Sequence, residues 1–152
     1  MEWIENLKRS FSLLIYLGLS RGNRALLGSE THARPKGDLV WLHLPNLNRL
    51  AATLHLIERL CFMRPDVNIL VTTVVKTRPD ALPCDILWSP IASEHPAAVE
   101  NFLSHWRPDL CVWSHGALRP SFIHNTAKRR IPLFLIDVDE TSFPSRRWRW
   151  FP

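Results

Sequence analysis

Residues 38–60 read DLVWLHLPNLNRLAATLHLIERL, and their pattern decides the fold class. An apolar run from Leu39 to Leu42 ends at His43, with no polar alternation that would leave one face in water. A turn carrying Asn46 and Asn48 follows. Beyond it Leu47, Leu50, Leu54, Ile57 and Cys61 recur at three- and four-residue intervals, the spacing of one helix face. A continuous apolar strand followed by a helix is the unit of a parallel sheet covered on both faces.

The same unit repeats along the chain. Strands are expected at Leu39–His43, Asn68–Thr73, Asp85–Trp88, Leu110–Ser114 and Pro132–Asp137. Helices are expected over about Pro96 to Trp106, with Val99, Phe102, Leu103 and Trp106 on one face, and about Pro120 to Arg130, with Phe122, Ile123 and Ala127 inward. The fold class is α/β: a Rossmann-like, doubly wound parallel sheet of about five strands. It is preceded by an N-terminal amphipathic helix within 1–24 and a polar linker over 25–37, so that 38–152 forms a single domain. The apolar stretch Phe11 to Leu19, flanked by Lys8, Arg9, Arg21 and Arg24, is about half the length a bilayer-spanning helix needs. It suits a helix lying in a membrane interface, or one packed on protein.

Composition narrows the partners. A chain of 152 residues with 46% apolar content builds a real core, and a formal charge of +5 favours an anionic partner. The three cysteines, Cys61, Cys84 and Cys111, are far apart and form no CxxC pair. They are expected to be buried free thiols, and neither a disulfide framework nor a metal site is expected. With only five glycines there is no Gly-rich phosphate loop, which argues against Walker-type and dinucleotide binding. No cofactor is expected. Trp148, Trp150 and Phe151 lie among arginines, as in single-strand stacking surfaces. No nucleic-acid motif accompanies them, and nucleic acid is not an expected partner.

In doubly wound sheets ligands lie beyond the carboxyl ends of the strands. That rule selects His43, Asn46, Asn48, Arg49, Thr73, Lys76, Thr77, His115, Arg119 and Ser121 as candidates for holding an anion. The set is rich in donors and cations, and helix starts near 48 and 120 add free N–H groups. Other roles stand beside this one. His43 is also placed as a hydrogen-bonded structural histidine, and Asn46 and Asn48 as helix caps.

The segments WLHLPNLNRLAATLHLIERL, RPDVNILVTT, HPAAVENFLSHWRPDLCVW, GALRPSFI and RRIPLFLIDVDETSFPSRRWRWFP, in this order over about 38–152, resemble the N-terminal, acceptor-side domain of bacterial 3-deoxy-D-manno-octulosonic acid (Kdo) transferases. AVENFLSHWRPDL is the most specific piece. The resemblance implies a GT-B-type glycosyltransferase of lipopolysaccharide biosynthesis, moving Kdo from CMP-Kdo to a lipid A precursor at the cytoplasmic face of the bacterial inner membrane. It also implies an N-terminal helix that anchors the protein there. The partners it implies are a phosphorylated glycolipid or an anionic membrane surface, and a separate sugar-nucleotide-binding domain.

The chemical positions depart from the family pattern. Where the family reads approximately His-Ala-x-Ser-x-Gly-Glu, with the glutamate as proposed base, this chain keeps His43 but has Asn46, Asn48 and Arg49 at the serine, glycine and glutamate. A guanidinium stays protonated and cannot take a hydroxyl proton. The family's Glu-x-Glu-Leu-Trp-Pro-Asn becomes His115-Gly116-Ala117-Leu118-Arg119-Pro120-Ser121, and its Asn-Ala-Arg becomes Asp137-Val138-Asp139. Catalytic residues are therefore not assignable. The expectation is a Kdo-transferase-like domain without turnover of its own, since a GT-B cleft needs two domains to hold donor and acceptor in attack geometry. The alternative is a non-catalytic, membrane-associated binding or regulatory module for a phosphorylated glycolipid or a partner domain.

Overall fold

In the computed structural model, the described residues are 32–91 and 93–137. The expected amphipathic helix, most of the linker and the C-terminal Arg/Trp stretch lie outside them. Five strands form one sheet: β1 (Leu39–Leu44), β2 (Asn68–Thr73), β3 (Leu87–Pro90), β4 (Leu110–Ser114) and β5 (Leu133–Ile136). Three helices connect them: α1 (Leu50–Met63), α2 (Pro96–Trp106) and α3 (Pro120–Lys128). The sheet order is β3-β2-β1-β4-β5 and every pairing is parallel. This is the doubly wound α/β arrangement expected from the repeating apolar runs.

Each helix starts and stops for local reasons. Asn46 accepts a hydrogen bond from the Asn48 N–H (2.9 Å) and opens a single 3-10 turn, Leu47–Arg49, that runs into α1. Pro96 and Pro120 occupy first turns, where a missing N–H costs nothing. The His95 ring caps α2 by accepting from the Ala97 N–H (3.3 Å). α2 ends at Arg107, whose φ of 41° is left-handed, just before Pro108.

The period-two alternation of the strands separates two cores. Leu39, Trp41, Leu70, Cys111 and Trp113 face α2 and α3, meeting Val99, Phe102, Leu103, Trp106 and Phe122. Val40, Leu42, Ile69, Val71 and Val112 face the other way, where Ile57 of α1 packs with Leu82 and Ile86. The first core is aromatic. Trp41 sits 5.0 Å from Phe102, 5.8 Å from Phe122 and 6.2 Å from Trp113, ring centroid to ring centroid. At the amino end of β1, Arg34 donates to the Trp106 carbonyl (2.8 Å), and the Asp109 carboxylate accepts from the Leu39 N–H (2.8 Å), fixing the entry to the strand.

Four expectations need correction. The third strand runs Leu87–Pro90 rather than Asp85–Trp88, because Arg78 gathers the Ile86 and Pro83 carbonyls into the preceding loop. In α3, Thr126 is buried and Ala127 is exposed; the Thr126 hydroxyl donates to the Phe122 carbonyl, which lets a polar residue turn inward. Cys84 is exposed and Cys61 half-buried, so only Cys111 is a buried free thiol, and burial pushes its pKa up. Coverage of both faces also fails at β5, where Phe134 is 58% exposed and Leu135 and Ile136 remain accessible among the described residues.

Trp106, fully buried between α2 and the sheet, sets a testable limit. Trp106→Ala is expected to cost about 3–5 kcal/mol in urea unfolding. Phe62→Ala, at a residue 89% exposed, should stay within about 0.5 kcal/mol. Equal costs would contradict this core.

Candidate functional site

The sheet order reverses between β1 and β4. From β1 the chain leaves toward α1 on one face; from β4 it leaves toward α3 on the other. The two loops diverge and open a crevice at the carboxyl ends of the strands, the usual position of a ligand in such sheets. Pro45 and Gly116 form its floor. Gly116 has φ +106°, and a Cβ there would come within 3.0 Å of the Pro45 Cβ, so only glycine allows the two loops this close.

Two of the ten expected residues, Arg49 from the β1 side and His115 from the β4 side, meet at Asp137; His43 and Ser121 are fully buried, and Arg119 is half-buried within electrostatic reach of His43. Arg49 makes an ion pair with Asp137, Nε to Oδ2 at 2.8 Å, both side chains about half exposed. His115, with φ 24°, hydrogen-bonds through Nδ1 with the Asp137 carbonyl (3.1 Å). The loops after β1, β4 and β5 are thereby tied together at Asp137. The carboxylate nearest to Arg49 is already engaged by it.

His43 is fully buried on the aromatic face. Its Nδ1 lies 2.8 Å from the Thr72 hydroxyl, which also accepts from the Trp41 indole N–H at 2.7 Å. The hydroxyl oxygen has two lone pairs and one hydrogen, so it can meet Nδ1 in either imidazole tautomer. Burial, then the positive charge of Arg119, lowers the His43 pKa from 6.5 to about 3, partly offset by a hydrogen bond with the Thr72 backbone. The ring is neutral at physiological pH. As a proton acceptor for a substrate hydroxyl it is poorly suited, since it holds a proton too weakly and is closed to solvent.

The other expected residues have different positions. Asn46 is spent on the turn cap, and Asn48 is exposed beside it. Thr73, on the α1 face, donates to the Val75 carbonyl (3.3 Å) and accepts from the Trp88 indole (3.1 Å), a structural role. Lys76 and Thr77 are exposed in the loop on the β2–β3 side, away from the crevice. Thr72 is legible as a polar residue at a strand end, but its two side-chain partners on β1 are revealed only by the sheet register.

Among the described residues no cluster of His, Cys, Asp and Glu could hold a metal ion, and no helix is long and apolar enough to cross a membrane. A described pocket of about 220 Å³ is lined by Cys61, Asn68, Asp85 and Leu87, at the amino ends of β2 and β3. It lies at the wrong edge for the chemistry of a doubly wound sheet.

The family model for 3-deoxy-D-manno-octulosonic-acid transferase matches residues 20–152, most of the chain and all five strands. The chain belongs to this family. Among Kdo transferases, it is 28% identical over 128 residues to a probable mitochondrial 3-deoxy-D-manno-octulosonic acid transferase of Arabidopsis thaliana, covering 80% of this chain and 28% of that protein. It is 28% identical over 116 residues to the 3-deoxy-D-manno-octulosonic acid transferase of Rickettsia typhi, covering 72% and 24%. The counterpart in Rickettsia bellii is 25% identical over 124 residues, covering 78% and 29%. The chain thus spans about a quarter of the length of the Kdo transferases it matches. No solved structure matches it.

The state of His43 has a consequence for pH dependence. Its folded pKa lies below its unfolded value, so the unfolded chain binds the extra proton. Stability is therefore full above pH 6.5 and falls as pH drops toward 3, by up to about 1.4 kcal/mol per unit. His43→Gln should lower stability at neutral pH yet flatten this acid limb in urea-midpoint measurements. Parallel curves for the two proteins would show that His43 does not carry the effect.

Proposed function

We propose that residues 38–152 are the acceptor-side domain of a Kdo transferase of lipopolysaccharide biosynthesis. The family reaction is transfer of Kdo from CMP-Kdo to a lipid A precursor, and this domain would bind the phosphorylated glycolipid at the cytoplasmic, anionic face of a membrane. Family membership and the net charge of +5 support this reading. The 152 residues by themselves bind without turning over.

One observation carries the second half of that statement: the ion pair of Arg49 with Asp137 at the mouth of the crevice. Activating an acceptor hydroxyl needs a base within hydrogen-bond reach. Arg49 cannot accept a proton, the Asp137 carboxylate is paired to it, and His43 is buried and weakly basic. His115 is the remaining imidazole at the crevice rim, half-buried and already hydrogen-bonded to the Asp137 carbonyl. The arrangement favours a binding module, working with a separate sugar-nucleotide domain, over a self-sufficient enzyme. The apolar stretch within residues 1–24 would add an interfacial anchor.

Flotation tests the binding half. With vesicles containing a bisphosphorylated lipid A precursor, the full chain should float at low salt and release as salt rises, because exposed charge pairs are screened. It should float less with zwitterionic vesicles. Equal flotation with both vesicle types would refute recognition of the phosphates. In a CMP-release assay with CMP-Kdo and the same lipid, the chain alone should give no product above background. Sustained release would refute the absence of turnover.

A further inference from the structure

The outward stripe of α1 differs from an ordinary solvated helix face. Ala52, His55, Arg59 and Phe62 recur at intervals of three and four, and all four are exposed. Phe62 is 89% exposed and the adjacent Met63 65%, in the last turn of the helix. A single exposed apolar residue is ordinary. Here an aromatic and a thioether stand side by side, and neither belongs to the two cores.

The charges along this stripe leave one sign over. Glu58 is the only acid in α1, and its carboxylate lies 3.6 Å from the His55 imidazole. At the end of the helix Asp38 and Asp66 both lie against Arg64, at 3.6 and 3.1 Å. Arg59 is exposed and has neither a hydrogen bond nor an ion pair among the described residues. Lys36 is the same, and its carbonyl accepts from the Asn68 amide (2.8 Å), two residues before the Asp38 that meets Arg64. Two free cations therefore flank the exposed apolar pair.

That composition fits an anionic bilayer, where affinity follows inserted apolar area plus attraction to the lipid charge. Two side chains fall well short of the roughly 800 Å² per partner that a stable protein interface buries. A membrane accepts a smaller apolar wedge, because the surrounding charge adds to it. The 14 residues of α1 span about 20 Å and begin immediately after Arg49, at the mouth of the crevice. A helix lying along the bilayer sets Phe62 and Met63 into the interface at one end and holds the crevice at headgroup level at the other.

We infer that α1 rests on an anionic membrane surface along its Ala52–Phe62 stripe, with Phe62 and Met63 at the boundary of headgroups and acyl chains and Arg59 and Lys36 on lipid phosphates. The inference deepens the membrane part of the proposed function and rests on it only for which lipid enters the crevice. It is a second contact, separate from the apolar stretch within residues 1–24.

Flotation of the full chain with mixed phosphatidylglycerol and phosphatidylcholine vesicles, free of any lipid A precursor, tests it. Phe62→Ser combined with Met63→Ser should lower the partition coefficient roughly tenfold. Arg59→Gln should lower it about fivefold at low salt and make the salt dependence shallower. Phe134→Ser, at the exposed residue of β5, should leave it unchanged, and unchanged urea midpoints identify the variants as folded. Undiminished partitioning of the double variant overturns the inference and leaves the stretch within 1–24 as the whole anchor. An equal loss in Phe134→Ser also overturns it, since apolar exposure anywhere would then suffice. A concentration-dependent dimer abolished in the double variant, with vesicle binding intact, assigns Phe62 and Met63 to a second copy instead. The acceptor reading is measured separately, as preference for vesicles carrying the bisphosphorylated precursor. That preference, together with full phosphatidylglycerol binding by the double variant, removes the α1 contact alone. Binding lost in the double variant, without the preference, removes the acceptor reading alone.

Discussion

The Thr72 hydroxyl is the joint on which the carboxyl end of this sheet depends. It accepts from the Trp41 indole at 2.7 Å and meets the His43 imidazole at 2.8 Å, so one oxygen joins β2 to two side chains of β1. Trp41 in turn touches Phe102 of α2, Phe122 of α3 and Trp113 of β4. A single hydroxyl thereby ties the aromatic core to β2. In a fully buried setting such a contact is strong, and the penalty for breaking it is larger than its net gain.

Above that joint the crevice is held by charge rather than by packing. Arg49 and Asp137 connect the loops after β1 and β5, and His115 adds a second tie to the Asp137 backbone. A half-exposed pair of this kind contributes on the order of 0–1 kcal/mol to stability. Its significance is chemical. The cation is permanent, and its carboxylate partner sits 2.8 Å away.

The fold was legible because its signals are redundant. Asn68–Thr73, Leu110–Ser114 and Pro96–Trp106 have the bounds that apolar runs and helix spacing indicate. The third strand shifted by two residues because Arg78 caps the carbonyls of the loop before it, a contact with no sequence pattern. The site was legible only in part. Arg49 and His115 meet at Asp137, whereas His43 and Ser121 are buried inside the domain. Thr73 was misassigned because alternation turns it to the α1 face, toward Trp88. The partners of Thr72 were not legible for the complementary reason: its hydroxyl acquires meaning only from the strand beside it.

The most direct test is the charge of His43, since full burial at the Thr72 joint leaves its ring neutral. A long-range ¹H–¹⁵N correlation spectrum of the imidazole at neutral pH reports each ring nitrogen separately. One protonated and one unprotonated nitrogen is the predicted pattern. Protonation at both nitrogens would contradict it, because it places an uncompensated cation in the core.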